Sequence, residues 1–160
     1  MSQAMGVGAR APSFSLPSQN GTKVSLEALL ARGPVVLFFY PKDETSGCTA
    51  EACAFRDHYD AFQEAGASVV GVSDDSVASH RRFAERHGFP FVLLSDAGGA
   101  LRKVYGVPRS MGGLLKGRTT YVIDTAGVVR HVFTSLIDAT RHIDEALQVV
   151  RTLASGAQAL

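Results

Sequence analysis

Residues 35–57 read V-V-L-F-F-Y-P-K-D-E-T-S-G-C-T-A-E-A-C-A-F-R-D, and the fold turns on how this stretch divides. Val35 to Tyr40 is an unbroken apolar run of strand length, the pattern of a strand buried on both faces, and Pro41 ends it. A polar turn follows, and then the period changes. Cys48, Ala52, Phe55, Tyr59 and Phe62 recur at helical spacing, while Glu51, Arg56, Asp57, Asp60, Gln63 and Glu64 fall off that stripe. Both cysteines of the chain therefore lie at the start of one helix. Cys48 faces inward in the first turn, and the Thr45-Ser46-Gly47 run ahead of it supplies the Thr45 and Ser46 hydroxyls as capping groups. Unpaired N–H groups and the positive end of the helix dipole there favour thiolate over thiol. Cys53 stands five residues on, roughly 140° around the helix and about 8 to 9 Å away in Cα separation. A disulfide needs Cα atoms within about 7 Å. The two sulfurs cannot bond while the helix is intact.

Working outward, Gly66 stops this helix and Ser68 to Ser73 is a second apolar strand, so the segment is a β-α-β unit with parallel strands and a right-handed crossover. Ser73-Asp74-Asp75-Ser76 caps a helix running to Gly88. Phe91 to Leu94 reads as a strand, and Asp96 to Tyr105 as a short helix. Thr119 to Ile123 and Val128 to Phe133 form an antiparallel hairpin. Asp138 to about Leu153 is a closing helix, with Ala139, Ile143, Ala146, Leu147 and Val150 toward the sheet. Ahead of the core, Phe14 to Leu16 and Thr22 to Ser25 make a small hairpin around Gln19-Asn20-Gly21, and Leu26 to Ala31 a helical turn. The expected fold is α/β: a central mixed sheet flanked by helices, with an N-terminal hairpin extension. The order of elements is similar to the thioredoxin fold. Pro108 to Gly117, with Met111, Leu114 and Leu115, reads as a connecting loop. Residues 1–160 are expected to form a single domain with 1–7 and 154–160 frayed.

Composition narrows the function. The chain has 160 residues, 46% apolar, enough to bury a core without covalent staples. With 16 basic and 15 acidic residues the net charge is +1, and no basic run suggests a nucleic-acid partner. No apolar stretch is long enough to span a membrane and no secretory signal pattern opens the chain, so a reduced, cytoplasmic setting is expected. Two cysteines then read as catalytic or redox-sensing, not as a framework. The five histidines do not converge in sequence: His80 and His87 are seven residues apart, and His58, His131 and His142 stand alone. No metal, flavin, haem or nucleotide site is expected.

Pro41, Thr45 and Cys48 stand as P-x-x-x-T-x-x-C. With Glu51 and Phe55-Arg56-Asp57, and with Lys116-Gly117-Arg118-Thr119-Thr120-Tyr121-Val122-Ile123-Asp124 downstream, the string resembles the peroxiredoxin family, in particular its bacterioferritin-comigratory or peroxiredoxin Q group. Ser46 departs from that group's usual proline. The resemblance implies an antioxidant thiol peroxidase acting on hydrogen peroxide and organic hydroperoxides. In it Cys48 is the attacking thiolate, Thr45 and Arg118 hold the peroxide, Pro41 shields the sulfur and Glu51 orients the arginine. Cys53, with no third cysteine in the chain, is the candidate to resolve the Cys48 sulfenic acid as an intramolecular disulfide, recycled by thioredoxin or a similar dithiol. The group's members suggest a monomer. Each residue also has a plainer reading: Cys48 as a small hydrophobe, Thr45 as an N-cap, Glu51 and Arg118 as solvated charges. Two other functions stay open here. One is a copper-binding assembly factor using the cysteine pair. The other is a redox sensor or chaperone for which the peroxide reaction is a signal.

Overall fold

The computed structural model describes residues 6–107, 117–134 and 139–154. The segment 108–116, which includes most of the expected connecting loop, the segment 135–138, which includes the expected helix start at Asp138, and the termini 1–5 and 155–160 lie outside the described residues. The described residues form seven strands and six α-helices. In chain order they are β1 (Ser15–Pro17), β2 (Lys23–Ser25), α1 (Leu26–Leu30), β3 (Val35–Phe39), α2 (Ser46–Asp57), α3 (Tyr59–Glu64) and β4 (Ser68–Ser73). Then follow α4 (Val77–His87), β5 (Val92–Ser95), α5 (Ala100–Tyr105), β6 (Thr119–Ile123), β7 (Val129–Thr134) and α6 (Ala139–Ala154).

The apolar run Val35 to Tyr40 supplies the central strand. The main sheet runs β5-β4-β3-β6-β7. β3 pairs parallel with β4, Val35 opposite Ser68, and antiparallel with β6, Phe39 opposite Thr119. All five of its residues are buried because both faces of the sheet are covered. Val36, Phe38 and Tyr40 pack with Cys48, Ala52 and Phe55 of α2, Phe62 of α3, Phe83 of α4 and Ile143 and Val150 of α6. Val35, Leu37 and Phe39 pack on the other side with Leu26 and Leu29 of α1 and Leu101 and Tyr105 of α5. Gly71 in β4 makes room for this packing: a Cβ there would lie 2.7 Å from the Phe38 ring and 2.9 Å from Leu93 Cδ2. The N-terminal hairpin pairs Ser15 with Ser25. It is tied to the β5 edge by Gln19, whose side chain donates to Phe91 O and accepts from Leu93 N, so this edge is covered against further pairing.

Strand ends fall within about a residue of expectation, and two helices differ by more. The helix expected from 48 to 65 starts at Ser46 and divides at His58, whose φ of −106° and ψ of 11° end α2 and begin α3. There both the His58 N–H and its ring Nδ1 reach Ala54 O, the kind of side-chain capture of a terminal carbonyl that stops a helix. The helix expected from Asp96 is a 3-10 turn over Ala97–Gly99 followed by α5, because Gly98 and Gly99 take left-handed φ angles of 83° and 75°. Asp96 caps α5 by accepting from Leu101 N and Arg102 N. Of the capping run expected before α4, Ser76 is the residue whose hydroxyl accepts from Ser79 N.

Candidate active site

The site forms where three chain segments end together. β3 ends at Phe39, the turn from Pro41 to Thr45 delivers α2, and β6 begins at Thr119 directly opposite Phe39. Continuing that antiparallel register by one residue sets Arg118 against Tyr40, beside the first turn of α2. The register thus carries a residue from 70 positions away to Cys48: Arg118 Nη2 donates to Cys48 Sγ at 3.4 Å. Its other terminal nitrogen, Nη1, donates to Glu51 Oε1 at 2.6 Å. Cys48 is 1% exposed, Arg118 3% and Glu51 fully buried.

Glu51 corrects the sequence reading, which placed it off the buried stripe. At three residues past Cys48 it is only about 60° around the helix from it, and it turns inward with the sulfur. Burial pushes its carboxyl up to about 7, against the opposing pull of the Arg118 guanidinium. Burial also opposes the charge on Arg118, but Glu51 and Cys48 outweigh it, and the guanidinium is held above its ordinary range. One oxygen of Glu51 grips the arginine. The other, Oε2, makes no hydrogen bond among the described residues and lies 3.4 Å from His142 Nδ1. His142 is itself buried on α6, with Thr120 Oγ1 2.6 Å from the same nitrogen. The expectation that His142 stands isolated is therefore wrong: the sheet folds α6 back over α2.

Thr45 is the N-cap residue of α2 by position, but its hydroxyl does not cap the helix. It donates to Lys42 O at 2.9 Å. The hydroxyl oxygen thus keeps its lone pairs for an incoming O–H, and the first-turn N–H groups of Gly47 and Cys48 are left to whatever oxygen binds beside the sulfur. Pro41 follows Tyr40 and is half-buried. Cys53 is half-buried on the rim of the core, and both cysteines are free. The structure brings Cys48, Arg118 and Glu51 into contact. It places Thr45 at the helix start and Cys53 further along α2, which is intact across both cysteines.

Three residues of the site escaped sequence reasoning. Arg102 of α5 is buried and donates from Nη1 to Gly117 O at 2.8 Å and from Nη2 to Tyr40 O at 2.7 Å, clasping the residue before Arg118 to the residue before Pro41. Gly47 lets the guanidinium approach, since a Cβ on it would stand 3.0 Å from Arg118 Nη2. His142 could have been found: it lies three residues before Glu145 but four before Ala146, in phase with the apolar stripe of the closing helix. Neither Arg102 nor Gly47 carries such a signal.

A buried cysteine held by a buried arginine at a helix N-terminus, at the end of a central β-strand, defines a thiol-chemistry site on a thioredoxin-like frame. Comparison with known proteins agrees: residues 7–132 match the AhpC/TSA family model, and the chain belongs to that family of thiol-dependent peroxidases. Within it the similarity is to the peroxiredoxin Q and bacterioferritin-comigratory group. The chain is 48% identical over 146 residues to a putative chloroplastic peroxiredoxin Q of Oryza sativa subsp. indica, covering 91% of this chain and 67% of that protein. Peroxidoxin BcpB of Mycobacterium tuberculosis superposes with a TM-score of 0.86 at 46% identity, covering 93% of this chain and 98% of that one. The bacterioferritin comigratory protein of Xanthomonas campestris, described for its alkyl peroxide reduction activity, gives 0.79 at 34% identity over 88% and 92%. The cytoplasmic setting expected from the sequence is corrected by these relatives, since the curated peroxiredoxin Q proteins of rice, Sedum lineare and Arabidopsis thaliana are chloroplastic.

Proposed function

We propose that Cys48 is the peroxide-reacting cysteine, that Cys53 resolves it within the same chain, and that a thioredoxin-type dithiol recycles the product. The observation that carries this reading is the Arg118 guanidinium fixed between Glu51 and the Cys48 sulfur. A cation held there by a buried carboxylate pairs with the negative charge of the reacting sulfur and of the oxygen that departs.

The sulfur attacks the terminal oxygen of hydrogen peroxide or an organic hydroperoxide. An S–O bond forms, the O–O bond breaks, and the leaving oxygen takes a proton and departs as water or alcohol. Cys48 becomes a sulfenic acid. During attack Thr45 accepts the peroxide O–H, and Arg118 with the N–H groups of Gly47 and Cys48 stabilises the charge on the leaving oxygen. Pro41 closes one side of the sulfur. Cys53 cannot reach Cys48 along an intact helix, so the first turns of α2 unwind. The Cys53 thiolate then displaces the hydroxyl of the sulfenic acid as water, giving a disulfide. Thiol exchange with an external dithiol restores both thiols.

The experiment is a comparison of the parent with Cys53→Ser. After hydrogen peroxide, the parent should regain two thiols on incubation with reduced thioredoxin. The variant should stop at a Cys48 sulfenic acid that a sulfenate-specific nucleophile traps. A Cys53→Ser protein that turns over with thioredoxin as fast as the parent would remove Cys53 from the mechanism.

A further inference from the structure

Outside the cysteine site, the most heavily bonded polar cluster in the described residues surrounds Asp43, in the turn between β3 and α2. Asp43 Oδ1 accepts from Tyr40 OH at 2.6 Å. Its Oδ2 accepts from Ser79 Oγ at 2.8 Å and from His80 Nδ1 at 2.7 Å, and its backbone N–H donates to Asp75 Oδ2 at 2.8 Å. His80 is fully buried on α4, and its second ring nitrogen, Nε2, donates to Leu94 O at 2.9 Å at the end of β5. Nε2 thus faces a carbonyl, which can only accept, and Nδ1 faces the Asp43 carboxylate, with the Tyr40 hydroxyl 3.5 Å from the same nitrogen. The imidazole is a clamp with one jaw on the sheet and the other on the turn.

What the clamp holds is under strain. Glu44, next to Asp43, has a φ of 65° and is the one non-glycine residue in the described chain with positive φ. Residues with a Cβ avoid this conformation unless the surroundings impose it, and such outliers gather at functional sites. The following residue is Thr45, so the kink at Glu44 sets where the Thr45 hydroxyl and the first N–H groups of α2 point. Asp43, Asp75 and His80 also place potential metal-ligating atoms within 4.8 Å of one another. The Asp43 and His80 atoms are already spent on the hydrogen bonds above, and the cluster reads as a pin.

We propose that Asp43 and His80 are positioning residues for peroxide reduction: their buried pair holds the Lys42–Thr45 turn in its left-handed kink and so aims Thr45 and the first turn of α2 at the peroxide. This rests on the reading of Cys48 and Thr45 given above. The pair touches neither sulfur nor substrate and acts through the turn.

The test is the second-order rate of Cys48 oxidation by hydrogen peroxide, followed by quenched mass analysis in a Cys53→Ser background. Two amide substitutions separate the jaws of the clamp. In His80→Asn the new amide nitrogen can stand in for Nδ1 and keeps the donor to Asp43. In His80→Gln the longer amide stands in for Nε2 and keeps only the sheet contact. His80→Gln should slow oxidation by about ten- to a hundredfold, the scale of a misplacement near 1 Å, while His80→Asn should stay within about threefold of the parent. Adding Glu44→Gly to His80→Gln should restore much of the rate, because glycine enters the positive-φ kink without the Cβ penalty. Should the His80 variants fail to fold, Asp43→Ala removes the pin from the turn alone and should show the same loss. Equal losses in His80→Asn and His80→Gln, or a His80→Gln or Asp43→Ala protein as fast as the parent, would overturn the positioning role. A parent whose Cys48 does not react would overturn the functional reading itself, and this role with it.

Discussion

Arg118 is the residue on which the chemistry depends most, and its contacts set what each neighbour can tolerate. Removing the guanidinium leaves Glu51 as an uncompensated buried carboxylate and takes a donor from the departing oxygen. Arg118→Ala should therefore cut the rate of Cys48 oxidation by about a hundred- to a thousandfold, as loss of one charge-stabilising donor does elsewhere. Gly47→Ala is the subtler probe. The new methyl would stand 3.0 Å from Arg118 Nη2 and push the guanidinium by a few tenths of an ångström. Quenched-flow oxidation should show it slower than the parent with α2 intact by circular dichroism; an unchanged rate would mean the arginine contact is not limiting. At this scale the proposed reacting set was legible as candidates, because Pro41, Thr45, Cys48 and Arg118 stand in a motif or at a strand entry. It hid Arg102, Gly47 and the Asp43–His80 pair, whose roles exist only through contacts between residues 15 or more positions apart in the chain.

Among the elements, the proposed mechanism asks α2 to be both a rigid platform for Cys48 and a segment that can unwind. Glu51 lies between the two cysteines, so the turns that must open for disulfide formation carry the carboxylate that holds Arg118. On that mechanism, unwinding would break the buried Glu51–Arg118 pair. Ser46 bears on the balance. It is the first helical residue, and Thr45 before it has an extended backbone with φ −81° and ψ 154°, the conformation that a residue preceding proline prefers. Proline at this position loses no hydrogen bond. Ser46→Pro should stiffen the first turn by about 0.4 to 1 kcal/mol and slow disulfide formation roughly two- to fivefold. Rapid-mixing measurement of the sulfenic acid lifetime checks this, and faster resolution in the variant would contradict it. The period of the apolar residues showed the helix but not its break at His58, since a histidine ring folding back on Ala54 leaves no trace in the pattern.

For the whole molecule, the buried site makes stability depend on pH. Glu51 titrates near its ordinary value when unfolded, and at about 7 when folded, because burial disfavours its charge more than Arg118 restores it. Between those values the folded state binds the extra proton. Its stabilising contribution is complete below the unfolded value and is lost as pH rises through about 7, a change on the order of a few kcal/mol. Denaturant unfolding of the reduced protein should show the parent losing stability relative to Glu51→Gln between pH 5 and 8, about the window just named. A gap that stays constant or turns in the parent's favour would show the arginine dominating instead. The overall architecture was the most legible level: strand periods and turns gave the five-stranded mixed sheet and the hairpin extension. What they could not give is how α6 folds over α2 to bring His142 to Glu51, because a stripe fixes which face is buried and not what it meets.

The central claim is that Cys48 and Cys53 are a peroxide-reacting and resolving pair within one chain. The most direct measurement is a thiol count with intact mass on the fully reduced protein, before and after one equivalent of hydrogen peroxide. Loss of both thiols with a mass decrease of about two hydrogens, in monomeric protein on a non-reducing gel, is the predicted result. A stable single oxygen added at Cys48 with Cys53 still free, or no reaction faster than that of an ordinary cysteine, would contradict it.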